Sequence, residues 1–491
     1  MSTLPTRPAA SLKDRYETPQ GWVYLTGMQA LVRLPLQQRA RDMAAGVNTG
    51  GYISGYRGSP MGRYDMELWQ AEPQLKAANV VFRPGLNEDL AATAIWGAQY
   101  VGTFPGNTVD GVFGIWYGKG PGVDRSADAL RHANLAGTSP LGGVVCLAGD
   151  DHGAKSSTVA NYSDTLFTAV GIPVLYPSNT QEVLDYGLHG IAMSRFSGCW
   201  VGMKLVTDVV EGGGSVYVAP DWPTVQLPEA PSTPKDPFGA GYHIRGFDMP
   251  LAQEDRLYHH KLDAVMAYAR ANRLNEMLSE APGAQVGIIS AGKSWQDVQQ
   301  ALSNMGLRDT DTAGIRLLKL GMVWPLDPVI VREFAQGLKA IIVVEEKRPL
   351  IEEQLRTALY GSAEAPLIVG KRQSGTLFDP ARGPMAFPNA AEISPQLVAQ
   401  VIAGVMPHVA PGCTLVAPQG SATGQGPTPG LPARSPGFCS GCPHSRSTRV
   451  PEGSRALAGI GCHTMAILVN PKTTSAPSHM GAEGIHWLGQ Q

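Results

Sequence analysis

From about Gly51 to Leu205 the chain keeps returning to one pattern, a short apolar run followed by a segment of helical length. The runs are VNTGGYISGY, VVFRP, GVFGIWYG, GGVVCLAG, PVLYP and CWVGMKL. Strands spaced in this way cannot close as tight hairpins, and they predict a mainly parallel sheet covered by helices. An open sheet of that kind binds its ligands beyond the carboxyl ends of its strands. The pattern therefore constrains where a site can lie as well as the fold.

The loops at those strand ends carry the chemistry. Between VVFRP and GVFGIWYG, the segment NEDLAATAIWGAQYV places Leu90, Ala91, Ala94, Ile95 and Ala98 on a helical period, with Asn87 as N-cap. Glu88 then falls in the first turn, where an acidic residue by itself gains only a small dipole stabilisation. GYRGSPMG, residues 55–62, sets glycines beside Arg57, whose guanidinium could pair with a carboxylate; a plain tight turn is the competing account. GDDHGAK, residues 149–155, with Ser156 and Ser157, gathers Asp150, Asp151, His152, Lys155 and two hydroxyls after a strand. Such a set can hold an anionic substrate or run acid/base steps, and it equally suits a polar loop with capping residues. A third loop, GKGPGVDR, lacks the GK[ST] ending of a nucleotide-binding P-loop.

The Pro-rich stretch SVYVAPDWPTVQLPEAPSTPKDPFGAG breaks the alternation and puts a boundary near residue 235. VGIIS, RLLKLG and AIIVVEE, with helices from about Ser294, Asp327 and Pro349, form a second and smaller α/β unit over 236–407. Residues 408–436 are rich in Pro, Gly and Ser and read as a linker. Residues 437–491 read as the opening of a third domain, in keeping with the roughly three domains expected of 491 residues. Six cysteines are too few for a disulfide scaffold, and Cys146, Cys199 and Cys413 are scattered. Cys439 and Cys442 form a C-x-x-C and Cys462 follows in GIGCH, a spacing suited to zinc or an iron–sulfur cluster, or else three ordinary thiols. With zinc, His444 or His463 could be the fourth ligand. Thirty-nine basic against 41 acidic residues leave a net charge of -2, which favours neither nucleic acid nor an anionic membrane. The N-terminus has no apolar signal core and no long apolar run occurs, so a cytoplasmic, soluble protein is expected.

Taken together, GYRGSPMG, FRPGLNEDLAATAIWGAQ, AGDDHGAKSS and FCSGCPHSRSTRVPEGSRALAGIGCH resemble the indolepyruvate ferredoxin oxidoreductases, a branch of the 2-oxoacid:ferredoxin oxidoreductases. The likeness is to the large fused proteobacterial form and runs from about Ser11 to the last residue. It implies an α/β fold made of a thiamin-diphosphate-binding-like pyrimidine domain (1–235), a transketolase-C-terminal-like domain (236–407) and the start of a pyrophosphate-binding domain (437–491). By the same resemblance, Glu88, with Asn87 beside it, meets N1′ of the thiamin aminopyrimidine. Arg57, Gly58, Ser59 and Pro60 face the keto acid, and Asp150, Asp151, His152, Lys155 and Ser156 form another active-site loop. Cys439, Cys442 and Cys462 would bind a 4Fe-4S cluster. The implied reaction is oxidative decarboxylation of an arylpyruvate with coenzyme A and ferredoxin, in a homodimer. The family's magnesium motif Gly-Asp-Gly, its fourth cluster cysteine and its γ domain do not occur in the sequence. The expectation is thus a C-terminally truncated or split product, inactive without the remainder. Two other readings stand beside it: a non-catalytic assembly or binding protein with a structural zinc, and a non-redox thiamin enzyme, which the cysteine trio disfavours.

Overall fold

The computed structural model describes residues 11–490 apart from 233, 235–238, 280, 282, 308–309, 311–312 and 410–436. The expected boundary at 235 and most of the expected linker, with Cys413, lie outside the described residues. The chain divides into two compact units, Met1–Ala422 and Thr423–Gln491.

The first unit carries fourteen strands among its described residues: β1 Gly21–Thr26, β2 Thr49–Gly55, β3 Val80–Phe82, β4 Gly111–Lys119, β5 Val144–Asp150, β6 Val174–Leu175, β7 Val201–Val206, β8 Gly213–Val218, β9 Asn275–Ser279, β10 Val286–Ala291, β11 Ile315–Leu320, β12 Met322–Trp324, β13 Ala340–Val344 and β14 Leu367–Val369. The six runs of the first α/β region become β2 to β7 and join one seven-stranded sheet in the order β12-β6-β7-β5-β4-β2-β3. All its pairings are parallel except β12 with β6. The second region builds a five-stranded sheet, β14-β13-β10-β11-β9, in which only β9 runs antiparallel. This is the expected α/β architecture with parallel sheets.

Two features depart from the sequence reading. SVYV, placed in the Pro-rich break, is β8, and it pairs antiparallel with β1 in a two-stranded ribbon. Trp22 and Tyr24 are exposed on β1 while Val23 and Leu25 enter the core, so only one face of the ribbon is buried. The second departure is β12. It follows β11 after one residue but leaves that sheet and pairs with β6 of the other, so the second half donates a strand to the first. A main hydrophobic core accordingly runs through both sheets, from Ile53 and Leu147 to Leu318, Val323 and Val343. A second core, including Trp295, Val298 and Phe387, packs the other side of the five-stranded sheet.

The glycine-rich β2 is explained by its neighbour. Gly51 pairs with Phe113 and Gly55 with Tyr117 on β4. A Cβ on Gly55 would lie 2.0 Å from the Tyr117 carbonyl oxygen and 2.5 Å from its ring. Small residues here let the buried aromatics of β4 lie flat on the sheet. Gly214 on the exposed ribbon has nothing within 4 Å of such a Cβ. Gly55→Ala should therefore lower stability by about 1–3 kcal/mol through overpacking, whereas Gly214→Ala should change it by less than about 0.5 kcal/mol. Denaturant midpoints of the two variants check the contrast.

The second unit, described from residue 437, is small. Its strands β15 Ala456–Leu457 and β16 Thr474–Ser475 pair in parallel, and few of its side chains are buried.

Candidate functional site

The predicted helix forms over Glu88–Ala98, and Asn87 caps it by accepting from the Leu90 N–H at 2.9 Å. The loop that leads there is fixed by backbone bonds to β2, from the Arg83 N–H to Ile53 O at 3.0 Å and from the Gly85 N–H to Gly55 O at 2.8 Å. Trp116, fully buried on β4, donates its indole N–H to the Glu88 carbonyl at 2.9 Å. The Glu88 side chain lies against Gly122 in the helix Gly120–Arg125, where a Cβ would come within 2.5 Å of its Cγ and 2.6 Å of its carboxyl oxygen. Burial raises the pKa of this carboxyl, against the opposing pull of its own backbone N–H and of Arg125. Glu88 is thus a buried carboxyl at the carboxyl edge of the sheet, with its pKa shifted upward by burial.

The other predicted loops gather at the same edge. In the loop after β2, Arg57 is exposed, Pro60 is buried, and a Cβ on Gly58 would meet Lys119 at 2.9 Å. Pro60 and Met61 press on Gly149, next to the start of the acidic loop. Ser59, just before Pro60, is half-buried. Lys119 donates to Ser156 O at 2.7 Å, and burial lowers its pKa. Gly120, at the start of the helix that touches Glu88, packs on Asn161, whose N–H donates to Asp151 O. The structure therefore brings Glu88, residues 57–60 and the loop Asp150–Ser157 to one edge, linked through Lys119 and Gly120–Gly122.

Within the acidic loop the two aspartates differ. Asp150 is fully buried and accepts from the Ser163 N–H at 2.7 Å and the Ser163 hydroxyl at 2.6 Å. Burial raises its pKa, with Lys204 opposing. Asp151 accepts from the Lys155 and Ser156 N–H groups, at 2.9 and 2.8 Å, and from the Ser156 and Ser157 hydroxyls, at 3.1 and 2.6 Å. Burial pushes its pKa up, but those donors, led by Ser157, outweigh it and hold the carboxyl ionised below the ordinary value. Asp151 thus ties the loop to itself. Lys155 is largely exposed and pairs with Glu392 at 2.9 Å.

Sequence reasoning missed the groups on the other side. Lys204 on β7 pairs with Asp164 at 2.5 Å, both nearly buried, and lies 5.0 Å over the Tyr176 ring. From the second half, Glu346 just beyond β13 reaches His152, and Lys293 reaches Glu346. Trp116 and Gly122 stood in flagged segments, but strand and loop patterns carry no sign of the contact they make. Glu346 and Lys293 closed runs that read as ordinary strand and helix starts.

The three cysteines lie in the second unit. Cys439 and Cys462 are exposed, and the Cys442 sulfur is 3.3 Å from His444 Nδ1. Among the described residues no group of three or more His, Cys, Asp or Glu side chains stands together as a metal site. The thiols as placed do not form the ligand set for a cluster. No helix among the described residues is long and apolar enough to cross a membrane.

Comparison with known proteins converges on one group. A family model described as the indolepyruvate oxidoreductase domain matches residues 276–417. Curated relatives carry the name indolepyruvate oxidoreductase subunit IorA: that of Methanothermobacter thermautotrophicus is 26% identical over 462 residues, 91% of this chain, and that of Thermococcus kodakarensis 26% over 386 residues, 73% of this chain. The chain is thus similar to indolepyruvate oxidoreductase subunits over most of its length, and to the domain named for them over residues 276–417. It spans 64% of the length of the Methanothermobacter member and 54% of the Thermococcus one. The fold is also that of a solved 2-oxoglutarate:ferredoxin oxidoreductase from Magnetococcus marinus, with TM-score 0.52 and 14% identity over 79% of this chain and 66% of that one.

Asp151→Asn tests the loop. Losing a charged acceptor should cost about 1.5–3 kcal/mol at pH 7. Because the folded pKa lies below the unfolded value near 3.9, the stabilisation is present above that value and is lost as pH falls through the folded one. The difference between variant and parent, measured by denaturant unfolding, should shrink below about pH 4; a constant difference would assign it to shape alone.

Proposed function

We propose that this chain is part of a cytoplasmic 2-oxoacid:ferredoxin oxidoreductase that decarboxylates arylpyruvates such as indolepyruvate, with coenzyme A as acyl acceptor. The observation that carries the reading is the Glu88 carboxyl, buried at a helix N-terminus beside Gly122 with its pKa raised. Bound thiamin diphosphate supplies the nucleophilic carbon and the electron sink that decarboxylation needs. Glu88 is suited to hold and exchange a proton at N1′ of the aminopyrimidine, since burial strengthens the hold of its carboxyl on a proton. Gly122 leaves the space in front of it. Arg57, Gly58, Ser59 and Pro60 offer a cation and open backbone to the carboxylate of the oxoacid. Asp150, Asp151, His152, Lys155 and Ser156 would flank the site from the neighbouring strand. The relatives' name, which calls them a subunit, supports an assembly with further protein; magnesium with the pyrophosphate, and electron transfer through a 4Fe-4S cluster, would draw on that protein.

Glu88→Ala, in the enzyme assembled from this chain and its remaining parts, should lower kcat/KM by about 10²–10⁴-fold. Glu88→Gln should do nearly as much without altering the fold, and Gly122→Ala should weaken thiamin diphosphate binding measured by calorimetry. Unchanged turnover in Glu88→Ala removes the proposal. The contact between Cys442 and His444 favours a second reading, an assembly protein with structural zinc. Iron, sulfide and zinc analysis of anaerobically purified protein separates the two: iron and sulfide in near-equal amounts support the redox enzyme, and stoichiometric zinc without iron supports the other.

A further inference from the structure

Besides the Lys155–Glu392 pair, the second half grips the acidic loop of the first half at a buried residue. His152 Nδ1 lies 2.5 Å from Glu346 Oε2, with the two side chains 2% and 3% exposed. Glu346 is not free to turn, because its other oxygen takes the Lys293 ammonium at 3.0 Å and the Ile393 N–H at 2.9 Å. Lys293 is held in turn by Asp297 at 2.9 Å and by the Ile393 carbonyl at 2.6 Å. The next residue, Lys347, donates its ammonium to the His152 carbonyl oxygen. Lys347 does so from a left-handed backbone conformation, φ 60°, that a non-glycine residue adopts at some cost. Two consecutive residues beyond β13 therefore take hold of one histidine, one by the ring and one by the backbone.

The second ring nitrogen is different. His152 lines a small cavity of about 20 Å³ together with Asp164, Tyr176, Lys204 and Glu346, room for one water molecule. Its Nε2 is buried and has no hydrogen-bond partner among the described residues. With the Nδ1 proton committed to Glu346, Nε2 is the atom the ring keeps available. A buried ion pair gives little net stability over an apolar seam of the same shape. What this one supplies is direction.

We propose that Glu346 and Lys347 are positioning residues for the Asp150–Ser157 loop, Glu346 fixing the tautomer and angle of the His152 ring and Lys347 fixing its backbone. The proposal rests on the reading of that loop as part of the oxoacid site. The second α/β half thereby sets the geometry of a site whose other residues all lie on the first.

The test uses the full chain labelled with ¹⁵N-histidine, His152 being assigned by its loss in His152→Asn. The parent should show a proton fixed on Nδ1, and Glu346→Gln should average or reverse the tautomer. Amide exchange over 153–159 should rise about tenfold in Glu346→Gln and in Lys347→Met, while Glu346→Gln combined with His152→Asn should be no worse than His152→Asn alone. An unchanged tautomer, an unmoved loop or additive effects would overturn the proposal. If Glu346→Gln does not fold, Lys347→Met reads the same clamp from the backbone side. In the assembled enzyme Glu346→Gln should lower kcat/KM for the oxoacid about tenfold and leave thiamin diphosphate affinity unchanged. Full turnover in Glu88→Ala would instead sink the assigned reaction, and the tautomer and exchange data would still decide the clamp.

Discussion

The carboxyl ends of two parallel sheets face each other across a seam of buried charge. Asp150 and Lys204 come from the first sheet, Lys293, Glu345 and Glu346 from the second, and none of them is more than marginally exposed. Charges removed from water are tolerable only when paired and hydrogen-bonded, so each group here dictates where its partners sit. Glu346, held below its ordinary pKa by His152 and Lys293 in spite of burial, is the member that touches both halves. Shift one sheet against the other by a strand spacing and several ionised groups would be left without partners. The relative placement of the halves is therefore set by electrostatic necessity as well as by the apolar core that runs beneath the seam.

Glu88 is positioned by steric means instead. Tyr117, Phe113 and Trp116 fill β4, the glycines of β2 accommodate them, and the Trp116 indole then reaches the first turn of the Glu88 helix. Gly122 completes the arrangement by being small. The two sides of the candidate site follow different physics: rigid packing around Glu88, and a network of mutually dependent charges around His152.

Much of this was legible in the sequence because it is periodic. Alternating apolar runs gave the strands of the seven-stranded sheet, and Asn87 with the spacing of Leu90, Ala91, Ala94 and Ile95 gave the helix and the place of Glu88 in it. What was not legible depends on long-range partners. SVYV looked like part of a proline-broken loop because a ribbon strand with one exposed face has no apolar signature of its own. MVW reads as the tail of RLLKLG until the tertiary fold separates them. Glu346 is one acid in AIIVVEE, and a carboxylate at a strand end looks the same whether it is solvated or paired with a histidine 194 positions away.

The donated strand β12 has a consequence for how this protein can change. Among the described residues, its three residues supply the partner on the outer side of β6, itself two residues long. A hybrid gene joined near residue 235, taking its first half from one relative and its second from another, would exchange a strand of the first sheet along with the second domain. Such chimeras would inherit mismatched edges as well as mismatched charges, so the two halves are expected to travel through evolution as one block and to melt as one.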